Sequence, residues 1–223
     1  VEPVAGSTGC LVPPKGYLQK LREICDKHGI LLIFDEVICG WGRMGSVFAS
    51  QEFGVVPDMM VLAKATTNGV VPMGVVACKE EMYDAVMDAS PMGTVELFHG
   101  YTYSAHPMAA AALIATLDVY REDGLFEHAN ERSSYWENAL HSLKGTDPII
   151  DIRNLGLVAG IEMEPRDGRP GVRGYDVFTD AFHNHNLLVR MTGDILAFSP
   201  PLIAEKEHID QIVETLRKII PNH

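Results

Sequence analysis

Two short apolar runs, each ending in a residue that can do chemistry, constrain this chain more than any other feature. Leu31-Leu32-Ile33-Phe34 delivers two carboxylates, Asp35-Glu36, and Met59-Met60-Val61-Leu62-Ala63 delivers Lys64. Between them lies a glycine-punctuated loop, Cys39-Gly40-Trp41-Gly42-Arg43-Met44-Gly45. Apolar runs this short, bounded by turn residues, predict fully buried strands of a parallel sheet. Open α/β sheets bind ligands in the crevice at the carboxyl ends of their strands, so Asp35 and Lys64 are expected to arrive there together. A lysine buried in such a crevice has its pKa lowered enough to act as nucleophile and proton carrier.

An acid and a lysine so placed meet the needs of pyridoxal phosphate: the lysine for an imine, the acid to keep the pyridine nitrogen protonated. Leu-Ile-Phe-Asp-Glu-Val at 32–37, Gly-Trp-Gly-Arg-Met-Gly at 40–45, Pro57-Asp58, Ala63-Lys64 and the 29-residue spacing from Asp35 to Lys64 resemble the class III (omega) aminotransferases. The opening Val-Glu-Pro-Val-Ala-Gly-Ser-Thr-Gly and the segment His99–Pro107 look most like the omega-amino-acid–pyruvate branch. The resemblance runs over essentially the whole chain. It implies an α/β fold, that of the fold type I transferases, with residues 1–120 as the latter half of a large domain built on a mostly parallel sheet. Residues 121–223 would then form a smaller C-terminal α/β domain.

The same resemblance assigns roles. Lys64 would hold the cofactor, Asp35 would pair with its ring nitrogen, and Val37 would pack on one face of the ring. Thr102 would reach across a homodimer interface to the cofactor phosphate of the other subunit, and Tyr101 would line the substrate channel. Arg190, just before the Gly193-Asp194 turn, would receive the substrate carboxylate, as the forked guanidinium does well. Glu2 would open a loop near the cofactor, or serve as a solvated or salt-bridged acid. Ile38 and Ser7 replace the glutamine and glutamate of the gamma-aminobutyrate type, and Ala65 replaces a common glycine. The family's phosphate-binding loop and ring-stacking aromatic would lie upstream of Val1, so the chain resembles the C-terminal half of such an enzyme. A class III aminomutase or decarboxylase, or a non-catalytic dimerisation half, competes with this reading.

Composition narrows the partners. A net charge of −12 over 223 residues argues against a sequence-independent nucleic-acid surface and an anionic membrane surface. No run of about 18 apolar residues occurs, so no bilayer-spanning helix is expected. The first residues show no basic segment followed by an apolar one, so no signal peptide is expected. Cys10, Cys25, Cys39 and Cys78 have no Cys-x-x-Cys spacing and read as reduced thiols of a cytoplasmic protein. His99 and His106 lack a third ligand at useful spacing, so no metal is expected.

The rest alternates helix and strand. Periodicity predicts a helix over 17–28 closed by Gly29, a polar helix from Lys79 to about Met87, and a buried alanine-rich helix from Met108. Another helix is expected near 123–144, then strands at 149–155 and 157–163 and a helix at 175–185. A hairpin of 187–191 and 195–199 and a last helix with Ile209, Ile212, Val213, Leu216 and Ile219-Ile220 on one face complete the pattern. Glu36 is expected to serve structure in its loop.

Overall fold

The computed structural model describes residues 1–92, 99 and 101–223. Gly100, part of the loop expected between His99 and Pro107, lies outside the described residues.

The chain opens with a loop and helix α1 (Tyr17–His28). Gly29 ends it in the left-handed conformation that glycine adopts without penalty, and Ile30 N–H donates to Cys25 O. Strand β1 (Ile33–Asp35) follows, then a one-turn helix α2 (Ala49–Glu52) and strand β2 (Met59–Leu62). β1 and β2 are parallel, Asp35 opposite Val61, and strand β3 (Val75–Cys78) adds antiparallel to β2. Val1 flanks the other side of β1: its amine donates to Ile33 O and its carbonyl accepts Asp35 N–H. Beneath this sheet Leu18, Cys25, Leu32, Phe34 and Val55 form a buried cluster.

Asp58, just before β2, ties this layer together. It is buried and accepts bonds from Arg22 Nη1, Lys79 Nζ and Leu32 N–H, each at 2.7 Å. Burial alone would raise its pKa, but the bonds from Lys79, Leu32 and Arg22 outweigh that and hold the carboxyl well below the usual range. A depressed folded-state pKa contributes stability that is fully present above about pH 4 and is lost as pH falls below it. Asp58→Asn is therefore expected to lower stability at neutral pH by about 3 kcal/mol, since it strips a buried charge pair. The deficit should narrow as pH drops below about 4. Urea denaturation at a series of pH values checks this, and a deficit independent of pH would rule the ion pairs out as its source.

Helix α3 (Glu80–Ala89) is polar, as its sequence implies. Helix α4 (Pro107–Glu122) corrects an expectation: only Ala109, Thr116 and Tyr120 are buried, while Met108, Ile114, Leu117 and Val119 are exposed. Its alanine-rich sequence fits burial, but burial needs a neighbour, and the described residues of this chain do not supply one for that face. His106 caps the helix, Nδ1 accepting from Met108 N–H at 3.3 Å.

Helix α5 (Leu125–His141) leads to a four-stranded antiparallel sheet in the order β4-β5-β7-β6. β4 is Ile149–Leu155, β5 Val158–Met163, β6 Arg190–Thr192 and β7 Ile195–Phe198. Helix α6 (Val172–His185) precedes β6, and α7 (Lys206–Ile219) closes the chain ahead of a final turn of 3-10 helix. α6 begins three residues before its expected start because Asp194 caps it, its two oxygens taking Gly171 N–H at 2.6 Å and Gly174 N–H at 2.9 Å. β6 begins at Arg190 instead of Leu187, since pairing with β7 runs only from Arg190 to Thr192. Trp136, Leu140, Ile161, Leu196, Ile209, Val213 and Leu216 lie in one buried cluster between this sheet and α5–α7. Ile212, expected on the same face, is only partly buried.

Two glycines bring the layers together. A Cβ on Gly160 would stand 2.4 Å from Gly9 O, so only glycine lets the opening loop lie on β5. Arg153 Nε reaches the same carbonyl at 2.9 Å. Gly174 is as confined, 2.3 Å from Gly193 O, which seats the β6–β7 turn on α6.

Candidate active site

A cavity of about 420 Å³ lies between the two sheets. Lys64 and Ala65 from the end of β2, Val37 and Ile38 after β1, Trp41 and Arg43 of the glycine loop, Tyr120 of α4 and Arg190 of β6 all line it. Three residues singled out from sequence, Lys64, Val37 and Arg190, thus share one cavity.

Lys64 follows β2 at the start of a turn of 3-10 helix, with its backbone at φ +49°. For a residue with a β-carbon that region is unfavourable by about 1–2 kcal/mol. The lysine is solvent-exposed, contrary to the burial expected. Asp35 ends β1 and is also exposed, and it is not among the lining residues. Its Oδ1 accepts Val37 N–H at 3.0 Å, which fixes the carboxylate beside a residue that does line the cavity. Glu36 points the other way, as the alternation of a strand requires. It is fully buried, and its two oxygens accept Ala49 N–H at 2.7 Å and Ser50 N–H at 2.8 Å, capping α2. Burial pushes its carboxyl pKa up despite those bonds.

Arg190 is exposed, and its Nη2 donates to Ser7 O at 3.1 Å. Glu2 takes Gly6 N–H at 3.1 Å, a bond internal to the opening loop. Tyr101 and Thr102 are exposed and do not line the cavity in this chain; the Tyr101 ring lies 3.9 Å from that of His99.

Several lining residues had no role in the sequence reading. Arg43 donates to the carbonyls of Leu157 and Pro200, so it clasps the glycine loop to the second sheet. Burial lowers its guanidinium to about 10. Trp41 Nε1 donates to Thr66 Oγ1 at 3.0 Å, and Tyr120 Oη donates to Ala65 O at 2.7 Å. The available signals were a tryptophan set between two glycines and a tyrosine ending an aliphatic helix.

The strand ends, the lysine turn and the cavity come together between the two sheets. The aminotransferase class-III family model matches residues 1–220, and the chain belongs to that family. It is 59% identical over 220 residues to an omega-aminotransferase of Caulobacter vibrioides, covering 99% of this chain and 50% of that protein. It is 45% identical over 221 residues to an omega-amino acid–pyruvate aminotransferase of Pseudomonas putida, covering 99% of this chain and 49% of the relative. A solved structure described as a transaminase with L-alanine superposes with a TM-score of 0.94 at 33% identity, covering all of this chain and 53% of that one. The expected α/β class, a fold type I transferase, is the fold of these structural neighbours. The chain spans about half the length of the curated relatives it matches.

Class III aminotransferases depend in general on pyridoxal phosphate, and the donor set fits that group. Lys64 offers a primary amine on the cavity wall, Asp35 a carboxylate anchored beside it through Val37, and Val37 and Ile38 an apolar surface.

Proposed function

We propose that this chain is the lysine-bearing half of an aminotransferase that moves an amino group from an omega-amino acid or simple amine to a keto acid, pyruvate in the first instance. The observation that carries the proposal is Lys64 at the end of β2, on a cavity wall shared with Val37 and Arg190. The names of the similar proteins, an omega-aminotransferase and an omega-amino acid–pyruvate aminotransferase, support the substrate classes. Pyridoxal phosphate, held by Lys64, Asp35 and Val37, would supply an electron sink for the bonds at the amine-bearing carbon. Lys64 Nζ would carry the proton to and from that carbon. Asp35 would keep a proton on the ring nitrogen of that group. Tyr101, exposed and outside the cavity wall, is assigned in this proposal to the channel by which substrate enters. The purified intact protein should be yellow, lose that colour with an amine donor, and regain it with pyruvate while alanine forms. A product that lacks the aldehyde or ketone matching the donor, or carbon dioxide release, would replace this reading with the aminomutase or decarboxylase alternative.

Arg190 is the proposed receptor of the substrate carboxylate. Among the described residues its polar contact is to a backbone carbonyl, which leaves guanidinium N–H groups for a carboxylate on the cavity side. Losing a charge-assisted bidentate contact costs about 2–4 kcal/mol. In Arg190→Ala that loss should fall on the pyruvate half-reaction and spare an amine donor without a carboxylate. Equal losses on both halves, measured separately, would make Arg190 a structural residue.

The active unit is proposed to be a homodimer in which Thr102 reaches the partner's cofactor phosphate. The exposed apolar residues of α4 support a covered face close to Thr102 in sequence. Mixing Lys64→Ala and Thr102→Ala subunits should restore one site that has both native residues, whereas no recovery above the two parents would count against sharing across the interface.

A further inference from the structure

We propose that Tyr120 is a positioning residue for Lys64, acting together with Trp41 through the turn at 65–68. The inference rests on the reading of Lys64 as the cofactor lysine and deepens it. Lys64 sits in the left-handed region, φ +49°, beyond the last paired residue of β2, so no strand ladder holds it there. Something must offset the unfavourable backbone, and the bonds fall on the residues that follow.

Tyr120 Oη lies 2.7 Å from Ala65 O, and the Asn68 side-chain oxygen stands 3.3 Å away. The one hydroxyl proton goes to the shorter contact, which anchors the carbonyl next to Lys64. Trp41 Nε1 donates to Thr66 Oγ1, and that hydroxyl in turn donates to Ala63 O at 3.0 Å. Ala65 and Thr66, just after Lys64, are therefore gripped by side chains from elsewhere in the fold, and Thr66 passes the hold back to Ala63. The two anchors also act as one body: the Trp41 and Tyr120 rings stack at 6.0 Å and 25°, and Phe126 closes on Tyr120 at 4.9 Å. Tyr120 is 3% exposed, so its ring cannot swing away without opening the core. The glycine loop, α4 and α5 thus converge on one turn, and what they hold still is the lysine that must meet its partner atom in one geometry.

Tyr120→Phe keeps the ring and removes only the hydroxyl, so packing should survive while the grip on Ala65 is lost. In the intact protein stripped of cofactor, amide exchange at residues 65–68 should rise about 5- to 10-fold, the equivalent of one lost hydrogen bond. On adding pyridoxal phosphate, covalent capture by Lys64 should slow by a similar factor while the melting midpoint falls by no more than about 5 °C, the share of one hydrogen bond. Trp41→Phe, which removes the indole N–H, should act in the same direction, and the double variant should lose less than the product of the two. Unchanged exchange and capture in Tyr120→Phe, with the wild-type label on Lys64, would overturn the positioning role and leave the cofactor reading intact. So would a larger fall in the midpoint with exchange rising throughout α4 and α5, since Tyr120 would then serve packing alone. A wild-type label on another lysine would instead overturn the reading beneath it.

Discussion

Lys64→Ala is expected to abolish turnover, by about 10⁴-fold or more, while the protein still folds and cofactor still binds through its other contacts. The size follows from the residue's two duties, nucleophile and proton carrier, each of which is worth orders of magnitude in rate. Fold should survive because the side chain is exposed. The alanine would sit at the same left-handed backbone position, so about the same local strain remains. Single-turnover absorbance with an amine donor measures the chemistry, and circular dichroism checks the fold. Turnover within about tenfold of wild type would move the catalytic amine to another residue.

Asp35→Asn should retain fold and cofactor yet lose about 10²-fold or more in rate, the equivalent of roughly 3 kcal/mol of charge stabilisation. A neutral amide cannot hold a proton on the ring nitrogen, but its oxygen can still accept Val37 N–H, the bond that Asp35 makes now. The substitution thus separates charge from local geometry. Rates near wild type in the Asn variant, with unchanged melting, would show that Asp35 serves only the turn after β1.

The adjacent pair Asp35-Glu36 shows why two like residues part company. Strand alternation sends one carboxylate outward and the other into the interior, where Glu36 finds two amide donors on α2. The period-2 argument was available in the sequence, and so were the helical face of α7 and the Gly29 stop of α1. The hairpin turn at Gly193-Asp194 was legible too, but not that Asp194 would cap α6, because that bond joins residues 20 and 23 positions apart. The exposed face of α4 was not legible, since an aliphatic, alanine-rich helix states that it wants a neighbour without saying where that neighbour is. The burial expected for Lys64 failed for the same reason: a crevice wall can come from outside the segment that carries the lysine. Trp41 and Tyr120 escaped notice because their roles exist only once positions 41, 66 and 120 are brought together in space.

Borohydride reduction of the intact, cofactor-loaded protein, followed by mapping of the labelled peptide, tests the central claim most directly. A single pyridoxyl label on Lys64 is the expected result, with none on Lys79, the lysine paired with Asp58 at the far end of β3. A label on any other lysine, or no label on a protein that is nonetheless active, would contradict the assignment of this turn as the seat of the chemistry.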